Sequence, residues 1–428
     1  MQFVKSRNLL ERAKRVIPSA TQTFSKGPTQ WPTTSAPNYL ERGSGAWVWD
    51  ADGNKFLDYL MALGPIILGY GDKRVNDAAV AALNAGTVFS QMHRLEVEVA
   101  ELLVDIIPCA EMVRFGKSGS DATTAAIRAA RAVTGRDHVV MCGYHGWHDW
   151  SIGTTTRDQG IPKATSDLTH TFGYNDLASL QKLFNSHPGQ IAAVALEPTG
   201  IVPPEPEFLP GVRDLARSNG AILIFDEVVT GFRTALGGAQ ERYGVIPDMA
   251  CFGKAMANGF PLSAVVGHQD VMKVFDEIFY SGTFGGETAS LAAGKMTIEI
   301  LRDTDALASI QSHGTAFMDM TNQLIEENGL RDAIRLKGFP ERFLLDMSTD
   351  KGDLETRVRK TFFMQECAKR GLLYYCLNVS CAAHGAEELA FSEKVFREVM
   401  PLFARAHQAD DFASRLDGPP IQPVFRQP

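Results

Sequence analysis

Apolar runs and helical patterns alternate through the middle of the chain. Residues 191–196 and 221–225 are apolar throughout, which is typical of parallel strands that helices cover on both faces. Amphipathic or Ala-rich helical patterns, such as those at 95–107 and 121–134, stand between such runs. The alternation predicts an α/β fold with a large, doubly wound and mostly parallel sheet. Ligands of such a sheet bind at the carboxyl ends of its strands.

The two flanks of the chain have different patterns. Residues 18–46 are rich in Pro, Ser, Thr and Gly and predict an irregular arm, while residues 47–58 alternate around an Asp-Gly turn as a β-hairpin does. Long helical patterns and short strand-like runs toward the C-terminus predict a smaller α+β domain. We therefore expect three segments: an N-terminal arm and hairpin over 1–70 that pack with the small domain, a large domain over 71–305, and a small C-terminal domain over 306–428.

Composition narrows the possible functions. The 428 residues carry 42 Lys and Arg against 50 Asp and Glu, a net charge of −8, which argues against a nucleic-acid partner. The N-terminus has no apolar signal core and no uncharged run reaches the roughly 18 residues of a membrane span, so we expect a cytoplasmic protein without a membrane partner. The six cysteines have no CxxC or zinc-type spacing and predict reduced thiols: Cys109, Cys142, Cys251, Cys367, Cys376 and Cys381.

The segment 116–121 (GKSGSD) precedes the Ala-rich helical pattern directly. Ser120 is a candidate N-cap, and Gly119 lets a ligand approach the backbone closely. The exposed N–H groups at a helix start, together with the helix dipole, attract a phosphate. An ordinary Ser-capped turn is the alternative interpretation.

Two charged features follow apolar runs. Asp226 and Glu227 end one run, where a buried carboxylate requires a cation or a proton donor; structural ion pairing to Arg233 is the alternative. Lys254 follows Gly253 at the end of another run. A confined lysine loses its proton more easily and becomes nucleophilic toward a carbonyl, whereas a solvated surface lysine is the alternative.

Aromatic and imidazole side chains are concentrated at 143–150 (GYHGWHDW). Tyr144 and its neighbours can stack on a flat heterocycle, with core packing as the alternative. His145 and His148 have no evident third ligand, so no metal is predicted. A phosphate anchor, a buried anion, a stacking ring and an amine are together what pyridoxal 5'-phosphate requires, and we predict this cofactor.

The segment 226–233 (DEVVTGFR) and the later motifs resemble the class III aminotransferases. These motifs, in the family's order and spacing, are GGAQ at 237–240, PD at 247–248 and GK at 253–254. The resemblance covers most of the chain and is strongest to the glutamate-1-semialdehyde 2,1-aminomutase subgroup. It implies fold type I of the pyridoxal-phosphate enzymes and a homodimer with its active sites at the interface.

The resemblance implies a catalytic set of three residues. Lys254 would form the Schiff base with the cofactor aldehyde and move a proton between substrate and cofactor. Asp226 would keep the pyridine nitrogen protonated. Tyr144 would pack on one face of the cofactor ring, and Val228 on the other.

Further cofactor contacts are implied by the same resemblance. Glu197 would lie near the phenolic edge of the ring and the substrate, and His145 is a second substrate-side candidate. The phosphate would be held by four residues, the last from the second subunit: Ser118, Gly119, Ser120 and Thr283.

Several positions depart from the subgroup pattern. Lys117 stands in place of Asn and Asp121 in place of Glu, and we expect both to leave the backbone donors of 116–121 intact. Ala257 and Asn258 interrupt a run of glycines, and 287–288 (ET) replace Asn-Pro.

The N-terminal arm also bears on the substrate. Residues 19–24 lack the Arg with which the aminomutase binds a substrate carboxylate, which disfavours glutamate-1-semialdehyde. A sugar-derived carbonyl is our hypothesis, because polar and aromatic side chains are enriched among Gln22, Gln30, Trp31, Tyr144, Trp147, His148 and Trp150.

The leading prediction is an aminotransferase that moves an amino group from an amino donor to a keto or aldehyde acceptor in a ping-pong cycle. The alternative is an aminomutase, which uses the same residues within one molecule. A non-catalytic binding protein is disfavoured because Lys254 and Asp226 are both present. A nucleotide-dependent oxidoreductase is disfavoured because no GxGxxG opens a helix.

Overall fold

The computed structural model describes residues 1–375 and 377–424, so Cys376 lies outside the described residues. The other five cysteines are buried thiols without disulfides.

In the described residues, the α-helices are α1 Val4–Val16, α2 Lys73–Ala85, α3 Arg94–Ile106, α4 Gly119–Thr134, α5 Asp149–Ile152, α6 Lys163–Ser166, α7 Leu177–Ser186, α8 Phe208–Ser218, α9 Ala239–Tyr243, α10 Gln269–Met272, α11 Thr288–Asp303, α12 Ala306–Glu327, α13 Asp353–Lys369 and α14 Ala386–Ala409.

The strands and short 3-10 helices complete the secondary structure. The strands are β1 Leu40–Ser44, β2 Trp47–Asp50, β3 Lys55–Asp58, β4 Met112–Gly116, β5 His138–Cys142, β6 Thr169–Thr171, β7 Ile191–Leu196, β8 Ile222–Asp226, β9 Met249–Phe252, β10 Ser263–Gly267, β11 Arg335–Phe339, β12 Arg342–Asp346, β13 Leu372–Leu373 and β14 Asn378–Val379. The 3-10 helices are Pro18–Ala20, Phe24–Lys26, Pro28–Gln30, Met61–Leu63, Lys254–Ala257, Lys273–Asp276 and Phe412–Arg415.

The chain divides into two compact units. One comprises Lys73–Leu307, and the other begins with Met1–Asp72 and resumes at Ala308. None of the helices in residues 1–375 and 377–424 is both long enough and apolar enough to cross a membrane.

The unit Lys73–Leu307 is built on a seven-stranded sheet with the order β4-β10-β9-β8-β7-β5-β6. Strands β6, β5, β7, β8 and β9 are parallel, and β10 pairs antiparallel with β9 and β4. All six residues of β7 are buried, as expected for a strand covered on both faces. Helix α4 packs on this sheet through small side chains, among them Ala122, Ala126 and Ala129, so its backbone lies close to the strands. The predicted α/β fold is confirmed.

The other unit has a four-stranded sheet, β1-β2-β3-β13, and a three-stranded sheet, β11-β12-β14. Strands β2 and β3 form the predicted hairpin. The prediction of an irregular arm over 18–46 is wrong at its end, because β1 pairs antiparallel with β2. The pattern concealed β1 because its burial does not alternate: four of its five residues are exposed.

Candidate functional site

The site lies at the carboxyl ends of β8 and β9, which run parallel with Asp226 opposite Cys251. Strand β8 ends at Asp226, and Lys254 follows two residues after the end of β9. The adjacent strand ends therefore bring the anion and the amine to one edge of the sheet. Lys254 has a φ of +42°, in the left-handed region, where the chain turns sharply into the 3-10 helix Lys254–Ala257. Its side chain is half-buried.

Asp226 is held by an imidazole and a backbone amide. Its Oδ2 is 2.8 Å from Nδ1 of His145, and its Oδ1 accepts a hydrogen bond of 3.1 Å from the Val228 N–H. Nε2 of His145 lies 3.1 Å from the carbonyl oxygen of Cys142. Both ring nitrogens of His145 therefore face acceptor oxygens, one of the Asp226 carboxylate and one of the Cys142 backbone. The imidazole partner of Asp226 thus comes from the aromatic cluster.

The prediction that His145 contacts substrate is not supported by its position. The residue is 2% exposed, and both of its ring nitrogens face protein acceptors. His145 therefore lies behind Asp226 and positions that carboxylate. The sequence motif places Tyr144 and His145 side by side, but it does not reveal that the two side chains face different ways.

Glu227, adjacent to Asp226, faces the protein interior. Its carboxylate accepts hydrogen bonds from the N–H groups of Ala239 (2.8 Å) and Gln240 (3.0 Å) and from the hydroxyl of Thr230. Complete burial raises the pKa of Glu227 to about 7, although these hydrogen bonds oppose the shift. The two adjacent carboxylates therefore have separate tasks: Asp226 lies at the site, and Glu227 holds the start of α9.

The predicted N-cap, Ser120, is wrong, because Ser118 caps α4. The Ser118 hydroxyl accepts from the Asp121 N–H at 3.2 Å, and the Asp121 carboxylate accepts from the Ser118 N–H at 2.8 Å. This reciprocal capping box starts the helix two residues earlier than a Ser120 cap would. Ser120 instead accepts from the Trp147 N–H at 3.2 Å.

Asp121 also changes the expected donor set. Its carboxylate accepts the N–H groups of both Ser118 and Lys117, so the expectation that all backbone donors of 116–121 remain available is wrong. The N–H groups of Gly119 and Ser120 stand in the first turn of α4, where a helix offers no internal acceptor. These two amides are the candidate donors to a phosphate.

The loops around the helix start pack so closely that they require glycine. A Cβ on Gly119 would lie 2.9 Å from Cγ1 of Val228, and one on Gly146 would lie 2.4 Å from the Ser120 hydroxyl. A Cβ on Gly253 would lie 3.6 Å from the same Val228 methyl. Val228 is therefore shared by the helix start and by the residue before Lys254. These contacts join the phosphate, ring and amine positions into one surface, which fits the predicted cofactor.

The open side of this surface carries aromatic rings. Tyr144 is 57% exposed, and burial together with the negative charge of Asp226 raises the pKa of its hydroxyl. Trp147 is 68% exposed. Glu197 follows β7, the neighbour of β8, at the same edge of the sheet. Tyr144 thus has a large accessible face near Asp226.

Thr283 lies in an exposed segment beside residues 88–93. The same segment ends at Glu287, whose carboxylate is 3.0 Å from the Lys117 ammonium. Glu287 also caps α11 by accepting from the N–H groups of Ala289 (2.7 Å) and Ser290 (3.1 Å). Two of the departures noted in the sequence, Lys117 and Glu287, therefore form one ion pair. Their opposite charges were the only signal of this pairing.

An anion paired to an imidazole, a strand-end lysine, a helix start with open amides and an accessible aromatic face define a pyridoxal-phosphate-dependent site. A family model, aminotransferase class-III, matches residues 31–416, and the chain belongs to this family. It is 34% identical over 407 residues to the 3-aminobutyryl-CoA aminotransferase of Cloacimonas acidaminovorans (strain Evry), covering 93% of this chain and 97% of the relative.

Two further relatives agree with this assignment. The chain is 39% identical over 330 residues to the glutamate-1-semialdehyde 2,1-aminomutase of Prosthecochloris aestuarii (strain DSM 271 / SK 413), covering 72% of this chain and 76% of the relative. Among solved structures, the PLP internal aldimine form of the FumI protein from Sphingopyxis sp. MTA144 matches with a TM-score of 0.88 at 28% identity, covering 95% of this chain and 98% of that one. The predicted transaminase class, fold and cofactor are confirmed.

Proposed function

We propose that this chain transfers an amino group from an amino donor to a keto or aldehyde acceptor in a ping-pong cycle, with Lys254 as the residue that binds the cofactor. The observation that carries the proposal is the meeting of Lys254 and the His145-paired Asp226 at adjacent strand ends. Structural ion pairing alone does not require a lysine at this edge.

Each part of the cofactor would be bound by different groups of the site. The amides of Gly119 and Ser120 and the hydroxyls beside them take the phosphate, and Val228 and Tyr144 take the two ring faces. Asp226 faces the pyridine nitrogen. Bound in this way, pyridoxal 5'-phosphate supplies an electrophilic carbon and an electron sink for the substrate's reacting carbon.

Proton movement is the work of the chain's own groups. In this proposal Nζ of Lys254 takes the proton from the substrate carbon that bears the amine. The same Nζ then delivers the proton to the cofactor. Asp226 has the buried imidazole of His145 as its partner, 2.8 Å away. Asp226 would in turn hold a proton on the pyridine nitrogen, which would increase electron withdrawal.

The substrate is proposed from two considerations. Glu197 follows β7 at the same edge of the sheet as Asp226, and residues 19–24 lack an Arg for a carboxylate. The relative that spans nearly the whole chain is named for an acyl-CoA with its amine on carbon 3. We therefore propose substrates whose amine is remote from a free carboxylate, with a 3-aminoacyl thioester as the first to be tried.

The hypothesis of a sugar-derived carbonyl has less support in the structure. The side-chain amide of Gln30 is occupied, since it donates to the Gln422 carbonyl (2.7 Å) and accepts from the Tyr375 hydroxyl (2.8 Å). The Trp150 indole N–H donates to the Thr124 hydroxyl at 2.9 Å, and the same hydroxyl is 2.7 Å from His148 Nδ1. These internal contacts remove several of the polar groups on which the hypothesis was based.

A second candidate function is the aminomutase reaction, which the 39% identity to glutamate-1-semialdehyde 2,1-aminomutase favours. A half-reaction separates the two. The holoenzyme is mixed with 3-aminobutyryl-CoA, or with alanine as a second donor, and the keto product is measured by mass spectrometry. Transamination predicts about one keto product per chain before any acceptor is added. Absence of product with every donor, together with turnover of glutamate-1-semialdehyde, would establish the aminomutase instead.

We also propose that the enzyme is a homodimer in which Thr283 serves the partner's phosphate site. Support comes from the exposed apolar side chains beside Thr283, namely Val88, Phe89 and Met92 in space and Phe284 as the next residue in the chain. An apolar patch of this kind is typical of a protein–protein interface.

A further inference from the structure

Three histidines from separate elements meet at the edge of the seven-stranded sheet. His138 begins β5, His170 is the middle residue of the edge strand β6, and His187 follows the end of α7. One ligand nitrogen from each ring lies within 4.8 Å of the other two. Nδ1 of His138 is 2.8 Å from Nε2 of His170. The ring centroids are 5.1, 4.9 and 4.3 Å apart.

Backbone hydrogen bonds fix all three residues in place. The His138 N–H donates to the Gln190 carbonyl at 3.2 Å, and the Gln190 N–H donates to the His187 carbonyl at 3.1 Å. The His187 N–H donates to Leu183 at 3.0 Å and so ends α7. His170 is paired with Val140 in the parallel ladder of β5 and β6. The cluster is therefore built by the fold rather than by flexible side chains alone.

The surroundings of the cluster favour a cation. Asp137 places a negative charge close to His138, and Asp167 does the same for His170. A neutral imidazole is the form of histidine that binds a metal, through the nitrogen that carries no proton.

We propose that His138, His170 and His187 bind one divalent ion of a late first-row transition metal. Three neutral imidazoles suit Zn²⁺, Cu²⁺ or Ni²⁺, whereas Mg²⁺ and Ca²⁺ require oxygen ligands. A Zn–N bond of about 2.0–2.1 Å in tetrahedral geometry places neighbouring nitrogens about 3.4 Å apart. The observed nitrogen–nitrogen distances are 2.8 Å for one pair and at most 4.8 Å for the other two pairs, so the three nitrogens lie near the spacing that one ion requires.

Metal binding needs only a proton shift within one ring. The hydrogen bond between His138 and His170 uses a proton on one of the two facing nitrogens. Moving this proton to the other nitrogen of the same ring frees both lone pairs for the ion, without net release of a proton. Water completes the coordination at a site whose three ligands are half-buried.

This site is separate from the transamination site. Strands β5 and β6, which carry His138 and His170, are parallel, and their carboxyl ends point to the transamination site. His138 stands at the amino end of β5, and Cys142 stands at its carboxyl end. Four residue steps along a strand span about 13 Å. The ion therefore ties β5, β6 and the end of α7 together and takes no part in the reaction.

The test uses untagged, cofactor-loaded enzyme, because an affinity tag of histidines would bind metal itself. ZnCl₂ binding is measured by calorimetry for the wild type, for His138→Gln, His170→Gln and His187→Gln, and for the control His268→Gln, a histidine of the same unit outside the cluster. We expect one Zn²⁺ per chain in the wild type and the control, and binding at least about tenfold weaker in each cluster variant. Zn²⁺ should also raise the thermal midpoint of the wild type but not of the cluster variants.

A second probe identifies the ligands directly. One equivalent of Cu²⁺ should show coupling to three nitrogens by electron paramagnetic resonance in the wild type and to fewer nitrogens in His187→Gln, whose side chain follows the end of α7. The visible absorption of the bound cofactor must stay unchanged, which excludes chelation by the cofactor. Equal Zn²⁺ binding by all variants, or no stoichiometric binding by the wild type, would overturn the proposal.

Discussion

At the residue scale, the site depends on how the buried carboxylate of Asp226 is held by its neighbours. Asp226 is 8% exposed, yet it has both a backbone donor and the imidazole of His145. Each oxygen of this carboxylate therefore has a hydrogen-bond partner, as buried polar groups require. The Glu227 carboxylate next to it instead accepts from the first N–H groups of α9 and holds the start of that helix. Position in the backbone, not residue type, decides which carboxylate serves chemistry.

Gly119 offers a sharp test of the surface shared by the helix start and the ring site. In Gly119→Ala the new Cβ lies 2.9 Å from Cγ1 of Val228, closer than carbon atoms approach without displacement. We expect cofactor affinity to fall about tenfold, since overpacking costs about 1–3 kcal/mol. Cofactor affinity is measured by fluorescence titration of the apoenzyme.

The double variant Gly119→Ala/Val228→Ala provides the matched control. It removes the methyl group that the new Cβ meets, and Val228→Ala alone serves as its reference because Val228 also faces the ring. Gly119→Ala should therefore lower affinity less in the Val228→Ala background than in the wild type. Unchanged affinity in the single variant would mean that the helix start and Val228 do not share the cofactor surface.

At the scale of elements, the ion pair of Lys117 and Glu287 links the segment before α4 to the start of α11. The two side chains are only 26% and 17% exposed. Burial raises the pKa of Glu287, but hydrogen bonds from Ser290 and Lys117 outweigh it and leave the pKa below its usual value. The pair therefore stabilises the fold while Glu287 is ionised.

A double-mutant cycle measures this link. Lys117→Gln and Glu287→Gln, alone and together, should give a coupling of about 1 kcal/mol in urea unfolding, because the pair is partly shielded from solvent. Lys163 and Asp167 form an exposed pair, 85% and 56% exposed, and provide the control. Its coupling should be smaller, and equal coupling in both cycles would refute the idea that burial strengthens the first pair.

His313 in α12 makes the stability of its own unit depend on pH. The ring is 3.0 Å from the Tyr59 hydroxyl, and burial lowers its pKa to about 4. Between about pH 6.5 and 4 the unfolded state binds the proton and the folded state does not, so stability falls as pH falls through this window. The loss is at most about 3 kcal/mol.

The variant His313→Gln keeps a polar partner for Tyr59 but cannot take up the proton. Its urea midpoint should therefore change less between pH 6.5 and 4 than that of the wild type. Identical pH dependence in the two proteins would show that His313 does not titrate in this way.

Sequence patterns located the elements well where burial is uniform. The wholly apolar run 191–196 predicted β7 with its observed bounds, and the run 221–225 predicted β8 to within one residue at each end. The charged residues after the apolar runs located Asp226 and Lys254. The patterns failed for two kinds of contact. The local cap at Ser118 depends on the Asp121 carboxylate, and the pairings of His145 with Asp226 and of Lys117 with Glu287 span 81 and 170 residues.

At the scale of the whole molecule, the proposed homodimer predicts a mass of about 94 kDa, twice the 46.8 kDa of one chain. Phe284→Glu places a charge on a side chain that is 59% exposed and lies beside Thr283. Burying that charge in an interface is unfavourable, so the variant should dissociate toward the single-chain mass in light scattering.

Val133→Glu, at the far end of α4, is the control and should remain dimeric. A wild type that stays at the mass of one chain at all concentrations would contradict the dimer. An unaltered mass for Phe284→Glu would remove this patch from the interface.

The proposed chemistry depends most on Lys254, whose amine stands at the sharp turn after β9. Borohydride reduction of the holoenzyme, followed by peptide mass mapping, tests it directly. We predict one cofactor per chain, joined covalently to the peptide that contains Lys254, and no such product in Lys254→Ala. Attachment to a different lysine, such as Lys117 beside the helix start, or no covalent product at all, would contradict the account.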